Sequence, residues 1–186
     1  TTAAWIVDFS KNNNPQDIKH VFFAESAYDI MAFYQANKAK LQGELDKSVF
    51  VSIGGTFSNQ QVAGIMNYYS HARAVDCFDN DIPGRIYGMR MVGVVEKVPL
   101  SINQHDKMID VNYNGVTHIL DAETANLHSL RPIIPFKREY GIEKAPAAFK
   151  DWNDVIQNKP STIILSKNKY ERDENLRERR TGGIKM

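Results

Sequence analysis

Val75-Asp76-Cys77-Phe78-Asp79-Asn80-Asp81-Ile82-Pro83-Gly84 decides how this chain is to be read. A short apolar run leads straight into two acids one residue apart, and then into a proline and a glycine. A continuous apolar run closed by a turn signal is the pattern of a buried parallel strand. Residues two apart in an extended chain point the same way, so Asp79 and Asp81 at the strand's exit can face one cation. In an open α/β sheet that exit is where ligands bind. Two carboxylates held together there repel each other unless a hard cation such as Mg²⁺ lies between them. A solvated turn would use the same residue types, so the neighbouring segments must separate a turn from a site.

Working outward on the N-terminal side, Ser48-Val49-Phe50-Val51-Ser52-Ile53 reads as another strand, closed by Gly54-Gly55-Thr56. Ser58 with Gln61 forms a capping box that opens a helix over about 59–71. Before that, His20-Val21-Phe22-Phe23-Ala24-Glu25 is an apolar run ending in an acid. Ser26 and Asp29 again have N-cap spacing, and Ala27, Ile30, Met31, Tyr34 and Leu41 recur at helical intervals, predicting a helix over 27–42. Trp5–Phe9 reads as a short edge strand, and 10–17, rich in Asn and carrying Pro15, as a loop. After Pro83, a favourable first-turn residue, residues 84–96 read as a third helix. Strand–helix units with short connections predict an α/β fold: a mostly parallel sheet flanked by helices.

C-terminal to that helix the texture changes. Met108–Tyr113 and Val116–Leu120 flank Asn114-Gly115, a type I′ hairpin signal. We read 97–130 as an antiparallel insertion into one domain spanning 1–165, with its core over about 19–157. Ile133-Ile134-Pro135-Phe136 is expected as a fourth parallel strand, and Lys150–Ile156 as a turn entering a short helix. Residues 166–186 carry a net charge of +3 with little to bury, the composition of a basic, flexible tail.

Composition excludes some functions. A formal charge of +1 gives no global field for gripping nucleic acid, so any such binding must rest on a local patch. The lone Cys77, inside the strand, excludes an intramolecular disulfide and a multi-cysteine zinc site, and the five histidines show no metal-ligand spacing. No apolar run reaches the ~18 residues of a membrane span and no secretory pattern opens the chain, so a cytoplasmic location is expected. Tyr68, at helical spacing from Ile65, is expected in the core. The chain begins without a methionine, as a piece of a longer protein would.

Placed on the sheet, Glu25, Asp79 and Asp81, and Asp151 with Asp154 all fall on one carboxyl edge. With Glu25-x-x-x-Asp29, Ser52-Ile53-Gly54-Gly55-Thr56, Phe78-Asp79-Asn80-Asp81-x-x-Gly84 and Lys150-Asp151-x-x-Asp154 in this order, the sequence resembles a Toprim domain over about 19–157. That Rossmann-like module is shared by primases, topoisomerases and some nucleases. Pro83 stands where topoisomerases carry a further acid, so the resemblance is to the primase-like modules of mobile-element and plasmid replication or mobilisation proteins. Trp152-Asn153 departs from the proline of the primase Lys-Asp-Pro-Asp element, and Asp154 is left out of the expected metal-binding set.

The resemblance implies Mg²⁺-dependent nucleotidyl or phosphoryl transfer on nucleic acid, with Mn²⁺ as a substitute ion. Its partners would be single-stranded DNA, nucleotides and other domains of a longer parent protein. Asp79, Asp81, Glu25, Asp29 and Asp151 are the expected metal-binding residues, and Glu25 is also the expected general base. Lys150, Arg85 and the backbone of Gly54 and Gly55 are candidates for meeting phosphates. A Toprim-type nuclease, or a non-catalytic scaffold binding DNA or a partner, would use the same fold.

Overall fold

The structure, a computed structural model, describes residues 3–11 and 14–161. The expected basic tail at 166–186 lies outside the described residues. Five strands form the main sheet in the order β1-β3-β2-β4-β8. They are β1 (Trp5–Asp8), β2 (His20–Ala24), β3 (Ser48–Ser52), β4 (Arg73–Asp76) and β8 (Tyr140–Ile142). β2, β3, β4 and β8 run parallel, and β1 closes the edge antiparallel to β3.

The side-chain alternation of β2 builds a core on each face. Val21 and Phe23 pack with α2 (Asn59–Tyr68) and α3 (Ile82–Val95), whereas Phe22 and Ala24 pack with α1 (Ala27–Leu41) and Trp152 of α4 (Trp152–Gln157). Both faces of β2 and β3 are therefore covered, and that is why these strands read as unbroken apolar runs. Cys77 is buried on the α1 face.

After β2 the chain crosses to β3, and after α3 it crosses in the other direction, towards β8. The loops leaving adjacent β2 and β4 therefore diverge and open a crevice at their carboxyl ends, the place where doubly wound sheets bind ligands.

Residues 97–130 form a second, antiparallel sheet: β5 (Leu100–His105), β6 (Met108–Tyr113) and β7 (Val116–Asp121). The hairpin on Asn114-Gly115 is present, with Asn114 and Gly115 both at positive φ. The sequence expectation omitted β5. Ile109, Val111, Leu127 and Leu130 join the same core as α3.

Two expectations are corrected. Residues 133–136 are not a strand, because the N–H groups of Ile133 and Ile134 both turn back to the Leu130 carbonyl (2.9 Å each) and Pro132 and Pro135 have no N–H to offer a ladder. The fourth parallel strand is Tyr140–Ile142, paired with β4. It is pinned by Glu96, a buried acid of the α3 C-cap, which accepts from the Tyr140 hydroxyl (2.7 Å) and from the Lys137 and Arg138 N–H groups (3.0 and 3.1 Å).

Tyr68, expected in the core, is 57% exposed, and Tyr69 is the buried one at 5%. The inward stripe of α2 is Val62, Ile65, Met66 and Tyr69, so Tyr68 falls one position off it. Among the described residues no helix is long and apolar enough to cross a membrane.

A carboxylate centre at the carboxyl edge of the sheet

Each acid of the expected set is placed by the start of a helix or the end of a strand. Glu25 follows β2 directly. Its carbonyl accepts from the N–H of Gly55 (2.8 Å) and from the hydroxyl of Ser52 (3.3 Å), so its backbone is tied to the exit of β3. Ser26 caps α1: its Oγ accepts from the Asp29 N–H (3.2 Å) and donates to Asp29 Oδ2. Asp29 is thereby both a capping residue and a buried carboxylate facing the centre.

β4 ends at Asp76, and the Cys77 N–H still bonds the Phe23 carbonyl (2.8 Å) before the chain leaves the sheet. Asp79 and Asp81 lie on the irregular turn that follows. Asp81 is the N-cap of α3, its Oδ1 accepting from the Gly84 N–H (3.0 Å). A Cβ on Gly84 would collide with the backbone of Asp79, so the first turn of α3 closes on Asp79 only because residue 84 has no side chain. Asp151 caps α4 through Oδ1 to the Asp154 N–H (2.7 Å).

These placements bring two groups of acids together. One carboxylate oxygen each from Glu25, Asp79 and Asp81 lie within 4.8 Å of one another, and the same holds for Asp29, Asp79 and Asp151. Asp79 belongs to both and is 5% exposed. Burial, with the charges of Asp79 and Asp81, raises the Glu25 pKa from its ordinary 4.5 to about 7. Burial raises Asp79 to about 6, against the pull of the Lys150 ammonium that donates to it. Burial also lifts Asp29, the Ser26 hydroxyl opposing it and Asp151 adding to it.

Glu25 Oε1 and Asp79 Oδ1 are both buried without a hydrogen-bond partner. A buried acceptor left without a donor costs on the order of 1–3 kcal/mol. Carboxylates with oxygens to spare, gathered with Asp81, fit a divalent cation, which prefers hard oxygen ligands.

Residues 22–114, half of the 186-residue chain, match the Toprim-like family. This chain belongs to the Toprim-like family. Neither comparison with curated proteins nor comparison with solved structures gives a match. Toprim membership implies a metal-dependent function on nucleic acid, catalytic or binding, and the acids that could hold the metal are gathered here. Glu25, Asp29, Asp79 and Asp81 lie within the matched segment of the Toprim-like chain, while Lys150 and Asp151 follow it.

The candidate phosphate contacts separate. Lys150 is at the centre, its Nζ 2.8 Å from Asp79 Oδ2 and 3.4 Å from Asp81 Oδ2. Arg85 is turned to structure, donating to the carbonyls of Asn80 and Ala125 (3.2 Å each). Gly54 and Gly55, with φ of 76° and 85°, make the left-handed turn that glycine allows. Their N–H groups are occupied within the chain, Gly54 donating to Ser52 Oγ (3.2 Å) and Gly55 to Glu25.

Sequence reasoning missed Asp76, Lys144 and Asn80. Lys144, just past β8, donates to Asp76 Oδ1 (2.6 Å) and to the carbonyls of Phe78 (2.9 Å) and Asp79 (3.4 Å), fastening the acidic turn from below. Burial pushes the Asp76 pKa up and the Lys144 ammonium pulls it back. Asn80 ties the same turn to the loop before α4, donating its side chain to the carbonyls of Ala145 (2.9 Å) and Phe149 (2.8 Å). Only the polar pair Asn80-Asp81 after the strand hinted at this, since Asn between two acids is a turn residue with a side-chain amide to spend.

Proposed function

We propose that this Toprim-like chain is the metal-binding half of a primase-like protein of a mobile element and carries out Mg²⁺-dependent nucleotidyl transfer on single-stranded DNA in the cytoplasm. The observation that carries this reading is the convergence of the Glu25, Asp79 and Asp81 carboxylates at the exits of adjacent β2 and β4, two of which, Glu25 and Asp79, each keep a buried oxygen without a hydrogen-bond partner. Asp79 and Asp81 would hold the ion, and Asp29 and Asp151 add a second group of oxygens around Asp79. A bound Mg²⁺ supplies polarisation of a phosphate and charge stabilisation at the attacking and leaving oxygens.

The chain's own residues do the rest. A general base works best with a pKa near working pH. At about 7, Glu25 suits removal of the proton from an attacking 3′-hydroxyl. Its carboxylate then carries that proton at the centre's edge, while Asp79 and Asp81 would hold the cation. Lys150, next to both acids and half exposed, is placed to meet a phosphate oxygen.

The test is incorporation of a labelled nucleotide on a single-stranded DNA template by the chain and by the longer protein that contains it. Mg²⁺-dependent incorporation, abolished in Asp79→Asn, supports the reading. Glu25→Gln assigns the base: it should lose turnover while Asp79 and Asp81 still bind Mn²⁺, with reduced affinity. Metal-dependent cleavage without nucleotides, and no incorporation, would replace the primase reading with the nuclease one. DNA retention unaffected by Asp79→Asn, with neither activity, would replace both with a scaffold.

A further inference from the structure

The geometry points to Lys150 as a tethered cation that occupies the Asp79–Asp81 pair in the metal-free protein, competes with the divalent ion for it, and is released towards substrate when the ion enters. This rests on the proposed metal site and concerns how that site is filled.

Three observations carry it. The first is position: one ammonium spans two carboxylates, 2.8 Å from Asp79 Oδ2 and 3.4 Å from Asp81 Oδ2. It thus neutralises the charge of two carboxylates a metal would need, through their Oδ2 atoms, and leaves Asp79 Oδ1 without a partner.

The second is tethering. The Lys150 carbonyl accepts from the Asn80 N–H (2.7 Å), and the Asn80 side chain holds the carbonyls of Ala145 and Phe149. Residue 150 is therefore fixed to the very turn that carries the two acids, and only its side chain is free to move. A group delivered on so short a tether acts at high effective concentration.

The third is exposure. The Lys150 side chain is 50% exposed, against 6% for Asp79. The ammonium can swing out into water without opening a cavity, whereas the carboxylate cannot leave. An ion pair with one partner so exposed is weak, on the order of 0.2–1 kcal/mol, which makes it displaceable by a doubly charged ion. Lys144 behaves differently: at 18% exposure, and bonded to Asp76 and two carbonyls, it is part of the scaffold.

Release has a consequence for substrate. Once off Asp79 and Asp81, the same ammonium is beside the ion and free for a phosphate oxygen, a contact that positions without reading sequence. Metal and nucleic acid should therefore bind with positive coupling through Lys150.

The experiment is a calorimetric Mn²⁺ titration of the wild type, Lys150→Gln, Lys150→Arg and Asp79→Asn, with folding checked by circular dichroism. Lys150→Gln should bind Mn²⁺ roughly 1.4- to 5-fold more tightly than the wild type, the fold-change that follows from an exposed pair, while Lys150→Arg stays near the wild type. Binding of a fluorescent single-stranded oligonucleotide should be strengthened by Mn²⁺ in the wild type and much less in Lys150→Gln. Mn²⁺ affinity unchanged or weakened in folded Lys150→Gln overturns the inference and leaves the metal site standing. No Mn²⁺ binding by the wild type overturns the metal site as well, and that outcome is recognised without the Lys150 variants.

Discussion

Replacing Glu25 by Gln should stabilise the metal-free protein at neutral and alkaline pH, at the cost of its function. In the folded chain the Glu25 carboxyl titrates at about 7, against its ordinary 4.5. Because the folded state holds this proton more tightly, the group favours folding fully below about 4.5, and that contribution is lost as pH rises through about 7. At 1.36 kcal/mol per pKa unit, the ionised form above pH 7 costs at most roughly 3.4 kcal/mol. Partial exposure and screening by Lys150 reduce the expected figure to about 1–2 kcal/mol.

Glutamine keeps the shape and removes the charge. For a chain of this size the gain corresponds to a melting temperature higher by roughly 2–8 °C. The assay is thermal unfolding of the wild type and Glu25→Gln in chelator at pH 8 and pH 5. The variant should melt higher at pH 8 and with the wild type at pH 5, and saturating Mn²⁺ should erase or reverse the pH 8 difference. A Glu25→Gln variant no more stable than the wild type at pH 8 would refute the idea that this carboxylate is held in an unfavourable site awaiting a cation.

The same titrations set the pH dependence of metal binding. Protons compete for Glu25 below about 7 and for Asp79 below about 6, so Mn²⁺ affinity measured by calorimetry should fall steadily from pH 8 to pH 5.5, and a flat profile would exclude these ligands. Lys144→Met leaves Asp76 buried without a counter-charge, and urea unfolding should show a loss of about 3–5 kcal/mol, partly recovered in Lys144→Met/Asp76→Asn. Gly84→Ala forces a Cβ into the backbone of Asp79. It should cost about 1–3 kcal/mol and weaken Mn²⁺ binding even where the fold survives.

What was legible in the sequence was local. Ser26 and Ser58 announce their helices because a hydroxyl at the N-cap answers a backbone N–H three residues on, and both bonds are present. Asp79-Asn80-Asp81 could be read as a site because acids at a strand's exit carry chemistry whatever surrounds them. The strand Tyr140-Gly141-Ile142 could not be read, since nothing within three residues marks it. It exists because Glu96, forty-four positions earlier, binds the Tyr140 hydroxyl, and because Gly141 lies so close to Val75 that a Cβ would come within 3.0 Å of it. Ile133–Phe136, the more apolar run, is spent on a turn between prolines. The Lys144–Asp76 pair spans sixty-eight positions and leaves no periodic trace. Tyr68 and Tyr69 differ by one step of a helix, and only the packed orientation of α2 says which of them turns inward.

Glu25, Asp79 and Asp81 are expected to act together as a divalent-metal site. Its most direct test is electron paramagnetic resonance of free Mn²⁺ during a titration of the wild type and of Asp79→Ala/Asp81→Ala. The free Mn²⁺ signal should be lost saturably with the wild type and not with the folded double variant. Equal uptake by both proteins, or no uptake by the wild type at pH 8, would contradict it.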